Sequence, residues 1–107
     1  MMPYNLDENH NDIVQALQWM GGSKIIDNAR VKRDEKGQLD LWWGLPNPHG
    51  GPGIWIWVEV KTESGNLTEK QEENINDCES LRLPVEVIRN TADVERVYKK
   101  YLKLMTK

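Results

Sequence analysis

Cysteine occurs once, at Cys78, so no disulfide can close within the chain and a reducing compartment is expected. A lone thiol of this kind is most often simply buried. Long apolar runs are also missing. No stretch approaches the ~20 residues that span a bilayer, and no basic segment followed by an apolar core opens the chain, so a cytoplasmic protein is expected. A basic surplus is absent as well: Lys and Arg number 14 against 17 Asp and Glu, giving a formal charge of -3 and a pI near 5.4. That balance argues against a chain-wide electrostatic hold on nucleic acid, leaving a local basic patch or a bound cation to attract a polyanion. Internal repeats and low-complexity tracts are lacking too.

What is present suits one compact domain over residues 1–107, with 38% apolar and 29% charged residues, enough for one core and not two. After a loose arm over residues 1 to 6, Asp7 or Asn9 can cap a helix on which His10, Ile13, Val14, Leu17 and Met20 recur at helical spacing, and Gly21-Gly22 stops it. Ser23 to Asp27 reads as a short strand. Asn28 to Gly37 is a polar connector, rich in charge of both signs.

The centre of the chain is a pair of apolar runs. Gln38 to Leu45 reads as one strand, Pro46 to Gly53 as a turn, and Ile54 to Lys61 as the antiparallel return, since so short a connection favours a hairpin. Along the return, Ile54, Ile56, Val58 and Val60 alternate with Trp55, Trp57, Glu59 and Lys61, so Glu59 and Lys61 share a face. Thr68 and Gln71 stand at the capping-box offset and open a helix running to about Leu83, where Pro84 ends it. Val85 to Arg89 is a short strand. A last helix starts near Thr91, with Val94, Val97, Tyr98, Tyr101, Leu102 and Met105 inward and its lysines on a solvated face. The predicted fold is α/β, in the order α-β-β-β-α-β-α, with a mixed sheet of about four strands flanked by helices.

Asp40, Glu59 and Lys61 carry the chemistry of this arrangement. Paired in register, the Asp40 and Glu59 carboxylates approach each other, and like charges at that range call for a cation between them. Two carboxylates, the Val60 carbonyl and waters make a hard-oxygen site suited to magnesium or manganese. Lys61 would orient an attacking water or neutralise charge on a phosphoryl group in the transition state.

These residues resemble the PD-(D/E)XK nucleases, and more closely their small VRR-NUC branch with its stand-alone phage-type members. Asn9 to Leu17 looks like the opening helix of those proteins, and Gly37-Gln38-Leu39-Asp40-Leu41-Trp42-Trp43-Gly44 like their G-x-P-D-L-x-x-G segment, with Leu39 in place of the usual proline. Glu59-Val60-Lys61 matches the E-x-K motif, and Gly65-Asn66-Leu67-Thr68-Glu69-Lys70-Gln71 the G-x-L-(S/T)-x-x-Q segment. The resemblance implies a restriction-endonuclease-like core and a metal-dependent endonuclease that hydrolyses DNA phosphodiester bonds. Asp40 and Glu59 would bind metal, Lys61 would be catalytic and Gln71 would support the site. It further implies a homodimer acting on branched or four-way junction DNA. Many members carry a metal-binding glutamate on the first helix; the matching position here is His10, with Glu8 two residues away.

Other readings stand beside this one. Gln71 is explained equally well by its capping box. His10 is more commonly a packed histidine than a ligand, and His49 in the turn is expected to be solvated. Trp19, Trp42, Trp43, Trp55 and Trp57 are expected mainly in the core, although Trp55 and Trp57 share the face of Glu59, where stacking on an unpaired base is the alternative to packing under a helix. A non-catalytic DNA- or protein-binding module, and a phosphodiesterase for RNA or small nucleotides, are the alternative functions.

Overall fold

Alternation along a strand sorts side chains onto two faces, and in this chain different helices pack on the two faces. The computed structural model describes residues 9–20, 24–28 and 39–105. Among these the elements are α1 (His10–Trp19), β1 (Lys24–Asp27), β2 (Leu41–Leu45), β3 (Ile54–Val60), α2 (Glu69–Ser80), β4 (Val85–Ile88) and α3 (Thr91–Leu104). The strands form one mixed sheet in the order β1-β2-β3-β4. Antiparallel pairing joins β1 to β2 and β2 to β3, while β4 runs parallel to β3. The architecture is the α/β layout expected. The N-terminal arm, Gly21-Gly22, the connector beyond Asn28, and Gln38 lie outside the described residues.

One face of the sheet holds the core. Leu41, Trp43 and Leu45 of β2, Ile56, Val58 and Val60 of β3, and Ile88 of β4 pack with Ile13 and Leu17 of α1 and with Val94, Val97 and Tyr101 of α3. Their helical spacing places each helix's apolar stripe on the sheet. The opposite face carries the alternate residues. There α2 packs beside β4, and Gln71 of α2 reaches Glu59 of β3.

The hairpin between β2 and β3 is held by Asn47. Its Oδ1 accepts from the His49 amide (2.8 Å) and its Nδ2 donates to the Pro52 carbonyl (3.2 Å). A side chain at Gly53 would collide with the Leu45 carbonyl oxygen, so only glycine lets the turn close onto the Leu45–Ile54 pair.

Element ends differ from the sequence reading by one residue at β3, which stops at Val60, and at β4, which stops at Ile88, and by more at β2 and α2. β2 begins at Leu41 rather than Gln38, because the Asp40 side chain, not backbone from the preceding residue, accepts the Val60 N–H (2.8 Å) and so competes with the ladder. α2 ends at Ser80 rather than near Leu83. There the Leu83 N–H donates to Cys78 O and the Arg82 N–H to Glu79 O, with Arg82 at φ 60°. Those paired bonds form a Schellman motif.

The tryptophans are distributed otherwise than expected. Only Trp43 is wholly buried, whereas Trp19 is 83% exposed, Trp55 is 46% exposed and Trp42 and Trp57 are half-buried. The reason is geometric: Trp42, Trp55 and Trp57 fall on the face that α1 and α3 do not cover. His49 is exposed, as expected. Cys78 is half-buried, and burial together with Asp77 and Glu79 pushes its thiol pKa up, away from reactive thiolate.

Candidate active site

The site forms where β3 ends. Its parallel partner β4 ends beside it, with Val60 opposite Ile88, so both carboxyl ends open onto the same edge of the sheet.

Asp40 and Glu59 arrive there by different routes. Asp40 stands immediately before β2 and is 7% exposed. Its Oδ2 accepts the amide of Val60, the peptide group that joins Glu59 to Val60, and its own carbonyl accepts from Asn28 N at 2.7 Å. Glu59 lies on β3, faces α2 and is 2% exposed. A buried carboxylate needs such bonds to offset its lost hydration. Glu59 receives one from Gln71, whose Nε2 donates to Glu59 Oε2 at 2.9 Å.

Gln71 performs both roles that the sequence left open. Its Oε1 accepts from the Thr68 amide (2.9 Å) while the Thr68 hydroxyl accepts from its own amide (3.1 Å), completing the capping box. The amide nitrogen is then left pointing at Glu59. One side chain starts α2 and orients a carboxylate.

Lys61 follows the last residue of β3, and its Nζ lies 3.6 Å from Glu59 Oε2. Its backbone is held from both sides. The Lys61 N–H donates to Ile88 O (3.0 Å), and its carbonyl accepts from Asn9 Nδ2 (3.0 Å).

Asn9, Arg89 and Asp27 are residues whose part sequence reasoning missed. Asn9 occupies the cap position of α1 but makes no side-chain cap bond; its amide bridges the carbonyls of Lys61 and Arg89 (2.7 Å) instead. Arg89 directs its guanidinium to the carbonyls of Thr62 (2.7 Å) and Gly65 (2.6 Å), fixing the loop that leaves Lys61. A polar pair at the end of the β4 run was the available signal. It became informative only once β4 was known to lie parallel to β3.

His10 is buried, and its Nε2 lies 3.1 Å from Asp27 Oδ2. Asp27 is on β1, opposite Leu41, so this pair sits on the core face beside the segment that carries Asp40. Glu8 is outside the described residues. Among the described residues, no group of three or more His, Cys, Asp and Glu side chains is gathered as a metal site. The donors brought together are therefore two carboxylates, from Asp40 and Glu59, next to the Val60 peptide. Comparison with protein-family models, curated proteins and solved structures finds no match for this chain.

Proposed function

We propose that this chain is a magnesium- or manganese-dependent deoxyribonuclease that hydrolyses DNA phosphodiester bonds, as its resemblance to the VRR-NUC branch of the PD-(D/E)XK nucleases suggests. The observation that carries the reading is the convergence of buried Asp40, buried Glu59 and Lys61 at one sheet edge. Burial of two acids with an ammonium at their rim is costly for a fold that uses them only for packing.

The residues fit a hard divalent cation. Magnesium is commonly held by one or two carboxylates, its remaining positions filled by waters and phosphate oxygens. A carboxylate has two oxygens and about four lone-pair positions, so accepting a hydrogen bond, as Asp40 does from Val60 and Glu59 from Gln71, does not bar it from ligating a cation. Asp40, Glu59 and the Val60 carbonyl would hold the ion; His10 is assigned to Asp27 rather than to the metal. When bound, the cation supplies Lewis-acid polarisation of the phosphodiester and a lowered pKa for an attacking water. The chain's own groups do the rest. Gln71 fixes the Glu59 carboxylate, Asn9 and Ile88 fix the Lys61 backbone, and the Lys61 ammonium stands where it can stabilise charge that develops on the phosphoryl oxygens. Branched or junction DNA cut by a homodimer extends the same proposal, since two equivalent sites suit two strands.

The test is incubation of the purified chain with supercoiled plasmid, single-stranded DNA and a four-way junction, with and without magnesium or manganese. Cleavage is expected only with metal, and Asp40→Ala and Lys61→Ala are expected to abolish it while far-UV circular dichroism stays unchanged. Full activity in either variant, or in excess chelator, would sink the proposal. A non-catalytic binding module is the second reading, favoured by His10, which stands at the first-helix position and is taken up by Asp27. Calorimetric titration separates the two, because a mere binder has no magnesium affinity that depends on Asp40 and Glu59.

A further inference from the structure

Beside the carboxylates, the sheet face that α1 and α3 leave uncovered carries two rows of partnered residues. Ile26, Trp42, Trp57 and Val85 stand opposite one another across all four strands, and Lys24, Gly44 and Trp55 make the next row. Trp42 and Trp57 stack on each other, with ring centroids 5.4 Å apart and planes within 8°. Trp55 is differently disposed. A methyl group on Gly44 would lie 3.0 Å from Cζ3 of the Trp55 ring and 3.2 Å from both Cε3 and Cη2, the two atoms bonded to it. Near-equal distances to three consecutive ring atoms mean that the ring lies face-down on Gly44. An edge-on approach would leave the flanking atoms well behind the first. Trp55 is nonetheless 46% exposed, more than a ring covered on both faces would leave to solvent.

From this geometry we infer that Trp55 is a stacking platform for one unpaired base of a single-stranded DNA segment whose phosphodiester lies at Glu59 and Lys61. The inference rests on the nuclease reading for the identity of that end of the strand. A flat ring on a glycine shelf offers only its face, and a base in a duplex has both of its faces covered by neighbours. An unpaired base has a face to give. Spacing agrees: successive same-face positions on β3 are about 6.6 Å apart, about twice the 3.4 Å advance per nucleotide of a stacked duplex strand. Bases following β3 must therefore be splayed. Charge is complementary as well, with Lys24 exposed in the Trp55 row and Lys61 beside Glu59. A cation flanks each end of the path a phosphate backbone would take. The Trp42–Trp57 stack forms the wall between them.

The test is binding, measured in EDTA so that cleavage plays no part. Fluorescence anisotropy of a short labelled oligothymidine, and of a labelled duplex of equal length, is followed on the whole chain and on Trp55→Ala, Trp55→Leu and Trp55→Phe. The unsubstituted chain is expected to bind the single strand more tightly than the duplex. Trp55→Ala and Trp55→Leu should weaken single-strand binding about 5- to 150-fold, the span for loss of one stacked base, while Trp55→Phe retains most of it. Trp55 is exposed, and circular dichroism verifies that each variant is folded. Equal single-strand affinity in Trp55→Ala, or a preference for duplex, overturns the inference. So does a Trp55→Ala variant that only separates associated copies of the chain in sedimentation and binds DNA unchanged. These results leave cleavage in magnesium standing; stacking-dependent binding without any cleavage would remove the nuclease and keep the platform.

Discussion

At the scale of single residues, Gln71 concentrates two tasks in one amide. Glutamate at the same position also completes a capping box, so Gln71→Glu should keep α2 while setting a second carboxylate against Glu59. The expected result is unchanged helical content by far-UV circular dichroism with a fall of about 10- to 100-fold in metal affinity or cleavage rate, the usual cost of losing a group that orients a metal ligand. Wild-type affinity and rate in Gln71→Glu would mean that Glu59 does not depend on this amide. The capping role was legible in the sequence because Thr68 and Gln71 are three residues apart. The bond to Glu59 was not, since it joins a strand to a helix across a loop. The same holds for His10: its apolar-side position was visible on the helix pattern, but its partner Asp27 becomes a neighbour only through the β1–β2 pairing.

At the scale of elements, order and type followed from periodicity, whereas ends depended on side chains that periodicity does not describe. β2 starts late because Asp40 takes the Val60 amide. The end of α2 hid behind Leu81 and Leu83, which continue an apolar pattern yet are 70% and 52% exposed. A Schellman motif usually has glycine at its left-handed position, and here Arg82 takes it with φ 60°. The left-handed conformation costs a side-chain-bearing residue about 1–2 kcal/mol. Arg82→Gly is therefore expected to stabilise the fold by about 1 kcal/mol, read as a higher urea midpoint with an unchanged slope. A lower midpoint would show that the Arg82 side chain contributes more than its backbone costs. The direction of β4 was also illegible. A strand of four residues carries no sign of whether its neighbour runs with it or against it, and with that direction went the parts of Asn9 and Arg89.

At the scale of the whole molecule, the core face of the sheet contains a buried acid, Glu86, opposite Val58 and on the other side of the sheet from Glu59. Glu86 Oε2 accepts from Tyr101 Oη at 2.8 Å and from Lys100 Nζ at 2.6 Å, so one lysine of α3 is tied to the sheet rather than simply solvated. Burial first, then the bond to Glu86, drives the Tyr101 pKa upward. A phenol whose pKa is higher in the folded state contributes stability that is complete below the ordinary tyrosine value near 10 and is lost as pH climbs beyond it. Urea midpoints should therefore hold steady at neutral pH and fall above about pH 10. Tyr101→Phe, less stable at pH 7 by about 1–3 kcal/mol through the lost bond, should show a shallower alkaline decline. Parallel declines in the two proteins would exclude the phenol as its source.

The amide of Asn9 ties together carbonyls that lie 52 and 80 positions further along the chain. Contacts of such separation form late, because the loop they close must be ordered before they can stabilise it. While the chain is being synthesised, α1 and the β2–β3 hairpin can be in place long before Arg89 has left the ribosome. Only then does Lys61 acquire its backbone clamp. An unfinished chain thus carries Asp40, Glu59 and Lys61 without the tie that completes their setting, and the arrangement matures only when residues from both ends of the described fold have met.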